Sequence, residues 1–407
     1  MDHKSDRSND DPASPKPSEG NIRPTIQDAP GETPRSTRAA EQVLDSTGAY
    51  YISGGALSRV VNRPGRGISV EQVHEQTLKL VLADMINWVV KGRDGVEHPI
   101  NPPHGVVQAL MHGQDCGLPV LNGLARQPYF DPDGRLVTEP GYDAATGIFA
   151  AFGEAECPMV KPTRFDAERC LEYLNGFLRE FEFKSEADRA AALCAMLTAA
   201  VRPSLPTAPA FNITATGPGS GKSYLADVIT PFAGPEDPYR VSFPERHDEA
   251  GKLIITVLRE RPPAVLFDDM QGNWKSLGPL NRALSSSVTT ERLLGSNRTA
   301  TVSTRVLFLG TGNHVEPERD MRRRVVTIRL APRSEKAALR KFLGTPVADL
   351  REDRAEPVAC ALTIIRAFQE HGEPHPEGLE SIGTYEEWSR YCRLPSSGSV
   401  YPIRHKA

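Results

Sequence analysis

The sequence of 407 residues has few of the features that mark secreted, membrane-spanning or zinc-binding proteins. Its six cysteines form no C-x-x-C pair, and no histidine stands at zinc-ligand spacing from them. This argues against a zinc site or a disulfide framework and favours reduced thiols. The chain has no signal peptide and no uninterrupted apolar run of membrane-spanning length, so we expect a cytoplasmic protein without a membrane partner.

Strong charge of either sign is also missing. A net charge of -4 at pH 7 excludes a protein that is basic overall, but it leaves room for a local basic groove. Hydrophobic residues make up 39% of the chain, which is enough for buried cores in two or three domains. The 35 prolines indicate long loops or disordered segments between them.

Composition and periodicity divide the chain into segments. The first residues are rich in Ser, Pro and charged side chains and nearly lack apolar ones, so they cannot offset the entropy of ordering. Helical and strand-like periods begin near Tyr50. We expect a disordered tail at 1–46, a small α+β module at 47–160, a helical connector at 161–205, an α/β core at 206–332, a helical segment at 333–393 and a disordered end at 394–407.

The most informative stretch is residues 211–223, FNITATGPGSGKS, followed by a helix-like run. Alternating apolar residues predict a short strand, small residues break it, and a helix begins at the lysine. Backbone N–H groups in such a loop can surround a phosphate, aided by the helix N-terminus. Lys222 is expected to reach the β and γ phosphates of a nucleotide, and the Ser223 hydroxyl to bind Mg²⁺. The predicted nucleotide-binding residues are Gly217, Pro218, Gly219, Ser220, Gly221, Lys222 and Ser223.

This loop departs from the usual pattern G-x-x-x-x-G-K-[ST] at one position. Thr216 stands where the first glycine belongs, and Gly217 follows one place late. The alternative is a chance glycine-rich turn before a helix. Because a strand, a loop and a helix occur in the required order, nucleotide binding is the favoured interpretation.

A second strand-like run, residues 264–267, ends in the pair Asp268 and Asp269. Two acids at a strand end can be a simple turn. Downstream of a phosphate loop, however, one carboxylate typically binds Mg²⁺ and its neighbour orients or deprotonates the attacking water. We assign Asp268 to the metal and Asp269 to water activation, a position where many hydrolytic enzymes carry the longer Glu.

Two further candidates come later in the chain. Asn313 ends the strand-like run that leads into GTGN, where it could hydrogen-bond the attacking water or the γ-phosphate, although an Asn is also common in a turn. Arg323 and Arg324 precede a final strand. A run of arginines can be a solvated face, but in ring ATPases an arginine of one subunit stabilises the transition state in its neighbour.

Together these motifs resemble the superfamily three helicase branch of the AAA+ ATPases. The similarity is greatest to the ATPase half of primase-helicases from phages and integrated mobile elements, and it covers most of residues 50–393. It is carried by the stretches TATGPGSGKSYL, DEAGKLIITVL, GTGN, DMRRRVVTIRL and YEEWSR. Family members often have a primase module ahead of this region, and here only the polar tail precedes it.

The resemblance implies a P-loop NTPase core that works as a homo-oligomeric, hexameric ring with ATP and Mg²⁺ between subunits. It further implies a hairpin around residues 295–298 that tracks single-stranded DNA, with Arg292 and Arg298 contacting phosphates. Ser296 and Asn297 stand where the family often has Lys. A separate primase is a conceivable partner.

We expect an ATP-driven DNA helicase used in the replication of a phage or mobile element. Two other interpretations fit the sequence. One is an ATP-binding loader or scaffold that assembles on DNA without unwinding it. The other is a truncated, degenerate ATPase that acts only through its interactions.

Overall fold

The computed structural model describes residues 23–63, 67–112, 116–153, 157–292, 299–332, 344–373 and 380–396. The chain divides into two compact units, residues 1–121 and 122–407. In the described residues, no helix combines the length and apolar character needed to cross a membrane.

The first unit has α+β structure with two small sheets. Its elements are β1 (Thr25–Asp28), α1 (Thr33–Ser46), β2 (Tyr50–Ser53), β3 (Ala56–Arg63), β4 (Gly67–Gln72), α2 (Glu75–Met85), β5 (Asn87–Lys91), β6 (Glu97–Pro99) and α3 (His104–His112). One sheet pairs β1 with β5 in parallel and β5 with β6 antiparallel, and the other is the antiparallel meander β2-β3-β4. The three helices bury Leu44, Leu78, Leu82 and Leu110 against Trp88.

The expected disordered tail at 1–46 needs correction, because β1 and α1 lie within it. Although α1 is mostly polar, Ala40 and Leu44 stand one helical turn apart and are fully buried. These two apolar residues therefore suffice to pack α1 against the core of the first unit. The amino-acid composition of the segment does not show this contact. Residues 1–22 lie outside the described residues.

The second unit begins with five short strands, β7 (Gly123–Ala125), β8 (Tyr129–Phe130), β9 (Leu136–Val137), β10 (Gly141–Asp143) and β11 (Ile148–Ala150). We had expected them to belong to the N-terminal module at 47–160. Instead they share a unit with the core, because Gln127 donates hydrogen bonds to the carbonyls of Ala200 and Phe232. The boundary of the first unit therefore lies near Leu121.

A five-stranded parallel sheet forms the centre of the second unit. Its strands are β12 (Ala210–Ala215), β13 (Tyr239–Val241), β14 (Ala264–Met270), β17 (Leu307–Asn313) and β18 (Val325–Leu330), in the spatial order β13-β14-β17-β12-β18. Leu266 and Leu309 face one buried cluster, while Phe267 and Phe308 face another. Both faces are thus covered, as the continuous apolar runs predict.

Helices lie on both faces of this sheet. On one face lie α4 (Arg164–Leu178), α5 (Glu186–Val201), α6 (Lys222–Ile229) and α10 (Ala355–Glu370), and on the other α7 (His247–Glu260) and α8 (Gly278–Ser285). Beside α7 lies an antiparallel hairpin of β15 (Val288–Arg292) and β16 (Thr299–Ser303). The unit also contains α9 (Pro346–Glu352). The expected mixed α/β class with a parallel sheet is confirmed.

The C-terminal end of the described chain packs into this core. A short helical segment, α11 (Glu386–Trp388), continues into a π-type turn, and the Trp388 indole N–H donates to the Thr198 hydroxyl at 2.8 Å. Leu394 is fully buried, so the expected disordered end at 394–407 does not begin there. Residues 397–407 lie outside the described residues. So do residues 333–343, which belong to the expected helical segment.

Candidate functional site

The predicted nucleotide-binding loop, the two aspartates and Asn313 come together at the carboxyl edge of the parallel sheet. There Ala215 at the end of β12 is in register with Asn313 at the end of β17, and β14 follows as the next strand. In open α/β sheets this edge is where ligands bind. The loop from 216 to 221, both aspartates and Asn313 therefore surround one region of the surface.

The conformation of the loop explains which of its glycines are needed. Gly219 has φ 70° and Gly221 has φ 86°, a left-handed conformation that favours glycine. Gly217 and Thr216 have no positive φ, and a side chain added at Gly217 would meet open space. The threonine at 216 thus replaces a glycine where the backbone does not demand one.

The N-terminus of α6 faces this loop without a side-chain cap. Its N-cap residue is Gly221, which has no side chain to accept a hydrogen bond from the first turn. The first N–H groups of a helix have no partner within the helix, and they carry the positive end of its dipole. With the loop before it, this helix start has the geometry of a phosphate-binding site.

The Lys222 side chain lies across the site rather than pointing to bulk solvent. Its Nζ donates to Asn313 Oδ1 at 2.7 Å, to Ser220 Oγ at 3.1 Å and to the Gly217 carbonyl at 3.3 Å. Desolvation lowers the pKa of Lys222, and the charge of Asp269 partly opposes this. The contact with Asn313 joins two residues that were predicted separately from distant motifs.

Ser223 and Asp268 form the second contact across the site. The Ser223 hydroxyl donates to Asp268 Oδ1 at 3.0 Å. A hydroxyl and a carboxylate are hard oxygen ligands of the kind that Mg²⁺ takes beside phosphate oxygens, so the donor set fits this ion. Burial would raise the pKa of Asp268, but hydrogen bonds from Thr311 and Ser223 and the charge of Arg240 together lower it, which keeps the carboxylate ionised.

The acidic pair sits in a β-bulge. Phe267 pairs with Gly310 and Met270 with Gly312, so two aspartates oppose Thr311 alone. Asp269 has φ 49°, a left-handed conformation that Asp and Asn tolerate better than most residues. Its carboxylate is exposed and accepts a hydrogen bond from Gln271 Nε2 at 3.1 Å. Bulges redirect side chains, and here Asp268 contacts Ser223 and Thr311, whereas Asp269 contacts Gln271.

Thr311 was not predicted from the sequence, although it holds this bulge. Its hydroxyl donates to Asp268 Oδ1 at 2.6 Å and accepts from the Asp269 backbone N–H at 3.1 Å. It lies between the two glycines of the GTGN stretch, whose lack of side chains lets Met270 and Trp274 pack closely against β17. In the sequence, the one feature that could have identified Thr311 is its position two residues before Asn313.

Arg240 is a second residue that sequence reasoning missed. It lies on the edge strand β13, and its guanidinium bridges the carboxylates of Asp227 and Asp268, the latter at 2.8 Å. A positive charge thus lies beside the proposed metal ligand. An isolated arginine on a short strand carries no sequence signal for such a role.

Replacing Arg240 by glutamine should make magnesium bind more readily, because it removes a cation that competes for Asp268. We expect the Mg²⁺ concentration that gives half-maximal binding of a fluorescent ATP analogue to fall by up to about fivefold, because a partly exposed charge pair contributes at most about 1 kcal/mol. Arg246→Gln, which breaks an exposed pair with Asp248, is the matched control. An unchanged or higher magnesium requirement would contradict this role.

Arg323 and Arg324 do not join the site within one chain. They precede β18, whose first residue pairs with Ala210 at the amino edge of the sheet, whereas Ala215 adjoins the loop at the carboxyl edge. Five residue steps along a strand separate the two edges by about 17 Å. The Arg324 side chain is 13% exposed and donates to Ser285 Oγ at 2.7 Å, while Arg323 is 65% exposed and pairs with Asp320.

Of the two residues predicted to contact nucleic acid, the structure describes one. Arg292 ends β15, and its backbone pairs with Thr299 of β16. Arg298 and the other residues of 293–298 lie outside the described residues. Within the described part of the chain, no three His, Cys, Asp or Glu side chains gather into a metal site.

No protein-family profile and no curated protein matches this chain. Solved structures that resemble it include the apo C-terminal region of NrS-1, with 13% identity, a TM-score of 0.41 and coverage of 80% of this chain and 68% of that one. The SCCmec type IV Cch helicase has 11% identity, a TM-score of 0.34 and coverage of 88% and 75%. The JCV helicase bound to a small molecule has 15% identity, a TM-score of 0.23 and coverage of 60% and 75%.

Proposed function

We propose that this protein is a magnesium-dependent ATPase that acts as a DNA helicase in the replication of a phage or mobile element. The observation that carries this proposal is the meeting of two contacts at one sheet edge. Lys222 reaches Asn313, and Ser223 reaches Asp268, although the partners come from motifs far apart in the sequence. A chance glycine-rich turn has no reason to lie between an ionised carboxylate and an amide at such distances.

Each side chain has a distinct part in ATP hydrolysis. Lys222 and the N–H groups at the start of α6 hold the phosphates, and Ser223 with Asp268 holds Mg²⁺, which supplies charge stabilisation when bound. Asp269, redirected by the bulge, orients the attacking water and accepts its proton. Because β17 lies between β12 and β14, it places Asn313 between the lysine and the acids, where its amide can bind the water or the γ-phosphate.

The proposed assembly is a hexameric ring with ATP between subunits. In a single chain, Arg323 and Arg324 lie at the opposite sheet edge from the phosphate loop. An arginine that contacts ATP must therefore come from a neighbouring subunit, which supports an assembly of this kind. Single-stranded DNA is the proposed substrate track, with Arg292 and Arg298 at the hairpin, and a separate primase is a proposed partner.

ATP turnover with and without single-stranded DNA, together with the mass of the assembly in ATP, tests the proposal. A helicase should hydrolyse ATP, assemble, and displace a strand from a forked duplex. Turnover and assembly without strand displacement would instead indicate a loader or scaffold. Absence of any magnesium-dependent turnover would indicate a degenerate ATPase and refute the enzymatic proposal.

The exposed Arg323 gives a test of catalysis between subunits. Arg323→Ala should lower ATP turnover by about 10³-fold or more, because an arginine that stabilises the transition-state charge contributes that much in related chemistry. Mixing it with Lys222→Ala subunits, each inactive alone, should restore turnover. In such a mixture, a Lys222→Ala subunit can lend its Arg323 to an intact phosphate loop next to it.

Arg322→Ala is the matched control for this experiment, since Arg322 is an exposed neighbour in the same short helix. It should retain near-normal turnover. If mixing restores nothing although both variants still assemble, Arg323 does not act on a neighbouring site.

A further inference from the structure

A cleft lined by arginines lies within the second unit, away from the phosphate loop. Arg126, Arg202, Arg261 and Arg305 line it, together with Ser303 at the base of the hairpin. We call it the arginine cleft. Its volume is about 370 Å³ counted to its open mouth, and Val306, beside the amino end of β17, forms part of its wall. It therefore opens at the opposite edge of the sheet from Lys222.

Arg202 is the most deeply buried of these arginines. Its side chain is almost wholly buried, and it donates to three backbone carbonyls, those of Thr304, Leu205 and Val306. These partners are neutral, and a guanidinium has more N–H donors than three acceptors can use. Burial and, to a smaller extent, the charge of Arg305 lower the pKa of Arg202 to about 9, while Tyr385 and Cys392 oppose this shift.

Arg305 brings a second positive charge to the same wall. Its guanidinium donates to the carbonyl of Pro203, which is again a neutral partner. Burial lowers its pKa, and the charge of Glu387 opposes this. Arg126, which pairs with Glu236, and Arg261 line the cleft beside them and extend the positive surface.

A structural role explains part of this arrangement. Arg202 directly follows α5 and Arg261 directly follows α7, so both lie at helix C-termini, where the dipole favours cations. The carbonyl contacts also tie β17 to α5. Neither effect explains why a buried guanidinium and a partly buried one, both with neutral partners, face one open cleft, since like charges at short range in a low dielectric are costly.

We propose that the arginine cleft binds a single phosphate group. Guanidiniums are suited to phosphate because their planar donors match its oxygens. A pocket for a whole nucleotide or drug-sized ligand spans roughly 300–1,000 Å³ of enclosed space. The 370 Å³ here includes open solvent at the mouth, so the enclosed space is too small for a nucleotide. The phosphate comes either from solution, as inorganic phosphate, or from a nucleic-acid strand.

Thermal unfolding of the Lys222→Ala protein with inorganic phosphate tests this inference. The background variant disables the phosphate loop, so the result does not depend on the proposed ATPase. At about ten times the dissociation constant, phosphate should raise the midpoint by roughly 2–4 °C over sodium chloride of equal ionic strength. An equal shift with chloride would be a general salt effect and would overturn the proposal.

Arg305→Gln in the same background should remove the phosphate shift. Arg305 is substituted instead of Arg202, because Arg202 donates to three backbone carbonyls and the loss of these hydrogen bonds would destabilise the fold. Arg164→Gln, an exposed arginine on α4, is the control and should keep the shift. If Arg305→Gln does not fold, Arg305→Lys keeps the charge and should bind phosphate several-fold more weakly. A shift of full size in a folded Arg305 variant would also overturn the proposal.

A second arm identifies the source of the phosphate. In the Lys222→Ala background, the affinity for a fluorescent oligothymidine is compared with and without Arg305→Gln. If the affinity falls together with the phosphate shift, the cleft holds a strand phosphate. If only the phosphate shift is lost, the cleft holds inorganic phosphate.

Discussion

Lys222→Ala should reduce ATP turnover by about 10²- to 10³-fold or more, as expected when one donor to a developing oxyanion is lost. The Lys222 ammonium group lies within the site, at 2.7 Å from Asn313 Oδ1. Its burial lowers the pKa of Lys222. Alanine removes both the positive charge and the long side chain that brings it to the phosphates. Steady-state phosphate release measures the loss, and binding of a fluorescent ATP analogue should weaken as well.

Lys79→Ala is the matched control, since Lys79 forms only an exposed pair with Glu75 on α2 and should keep full activity. Circular dichroism should show the same helix content in both variants. Normal turnover in a folded Lys222→Ala protein would show that the phosphate loop takes no part in the reaction and would refute the proposed site.

Asp269→Asn should separate binding from turnover. Asparagine tolerates the left-handed φ of 49° as well as aspartate does, so the bulge is expected to remain intact. Its amide cannot accept the proton of the attacking water. We therefore expect near-normal affinity for the ATP analogue and a fall in turnover of about 10²- to 10⁴-fold, the range for loss of a general base.

The control for this variant is Asp248→Asn, at an exposed acid in the first turn of α7. Single-turnover measurements with bound ATP isolate the chemical step from binding. A turnover rate within twofold of the wild type would show that water activation lies elsewhere, with Gln271 and Asn313 as the next residues to change.

The placement of the phosphate loop and the acidic pair at one sheet edge was largely predictable, because these residues occur in short motifs with a physical reason for their spacing. The glycines before Lys222 and the acids after an apolar run are local patterns, and parallel strands then bring their ends to one edge. The register of β12 with β17 adds Asn313. The assignment of catalytic roles to these residues remains a prediction that the variants above address.

Residues that act through tertiary contacts left no such pattern. Thr311 matters because a bulge places it opposite two aspartates, and Arg240 matters because an edge strand lies beside β14. The arginines of the cleft are scattered between Arg126 and Arg305, and only folding gathers them. No local rule of spacing can identify contacts of this kind.

The fold was less predictable at its boundaries than in its centre. The parallel core followed from compact apolar runs, whereas α1 was missed because its sequence is mostly polar apart from a narrow buried stripe. The short strands after Leu121 have the turn-rich texture of a small module, yet Gln127 and its carbonyl partners tie them to the core. Composition reports the average of a segment, while two or three buried contacts decide where it packs.

The placement of Arg323 and the phosphate loop at opposite sheet edges has a consequence for enzymology. If a neighbour completes each site, the specific activity per chain should depend on protein concentration. Dilution below the dissociation constant of the assembly should abolish turnover even while every chain stays folded and still binds ATP. A plot of rate against protein concentration should then curve upward at the low end, instead of rising as a straight line through the origin.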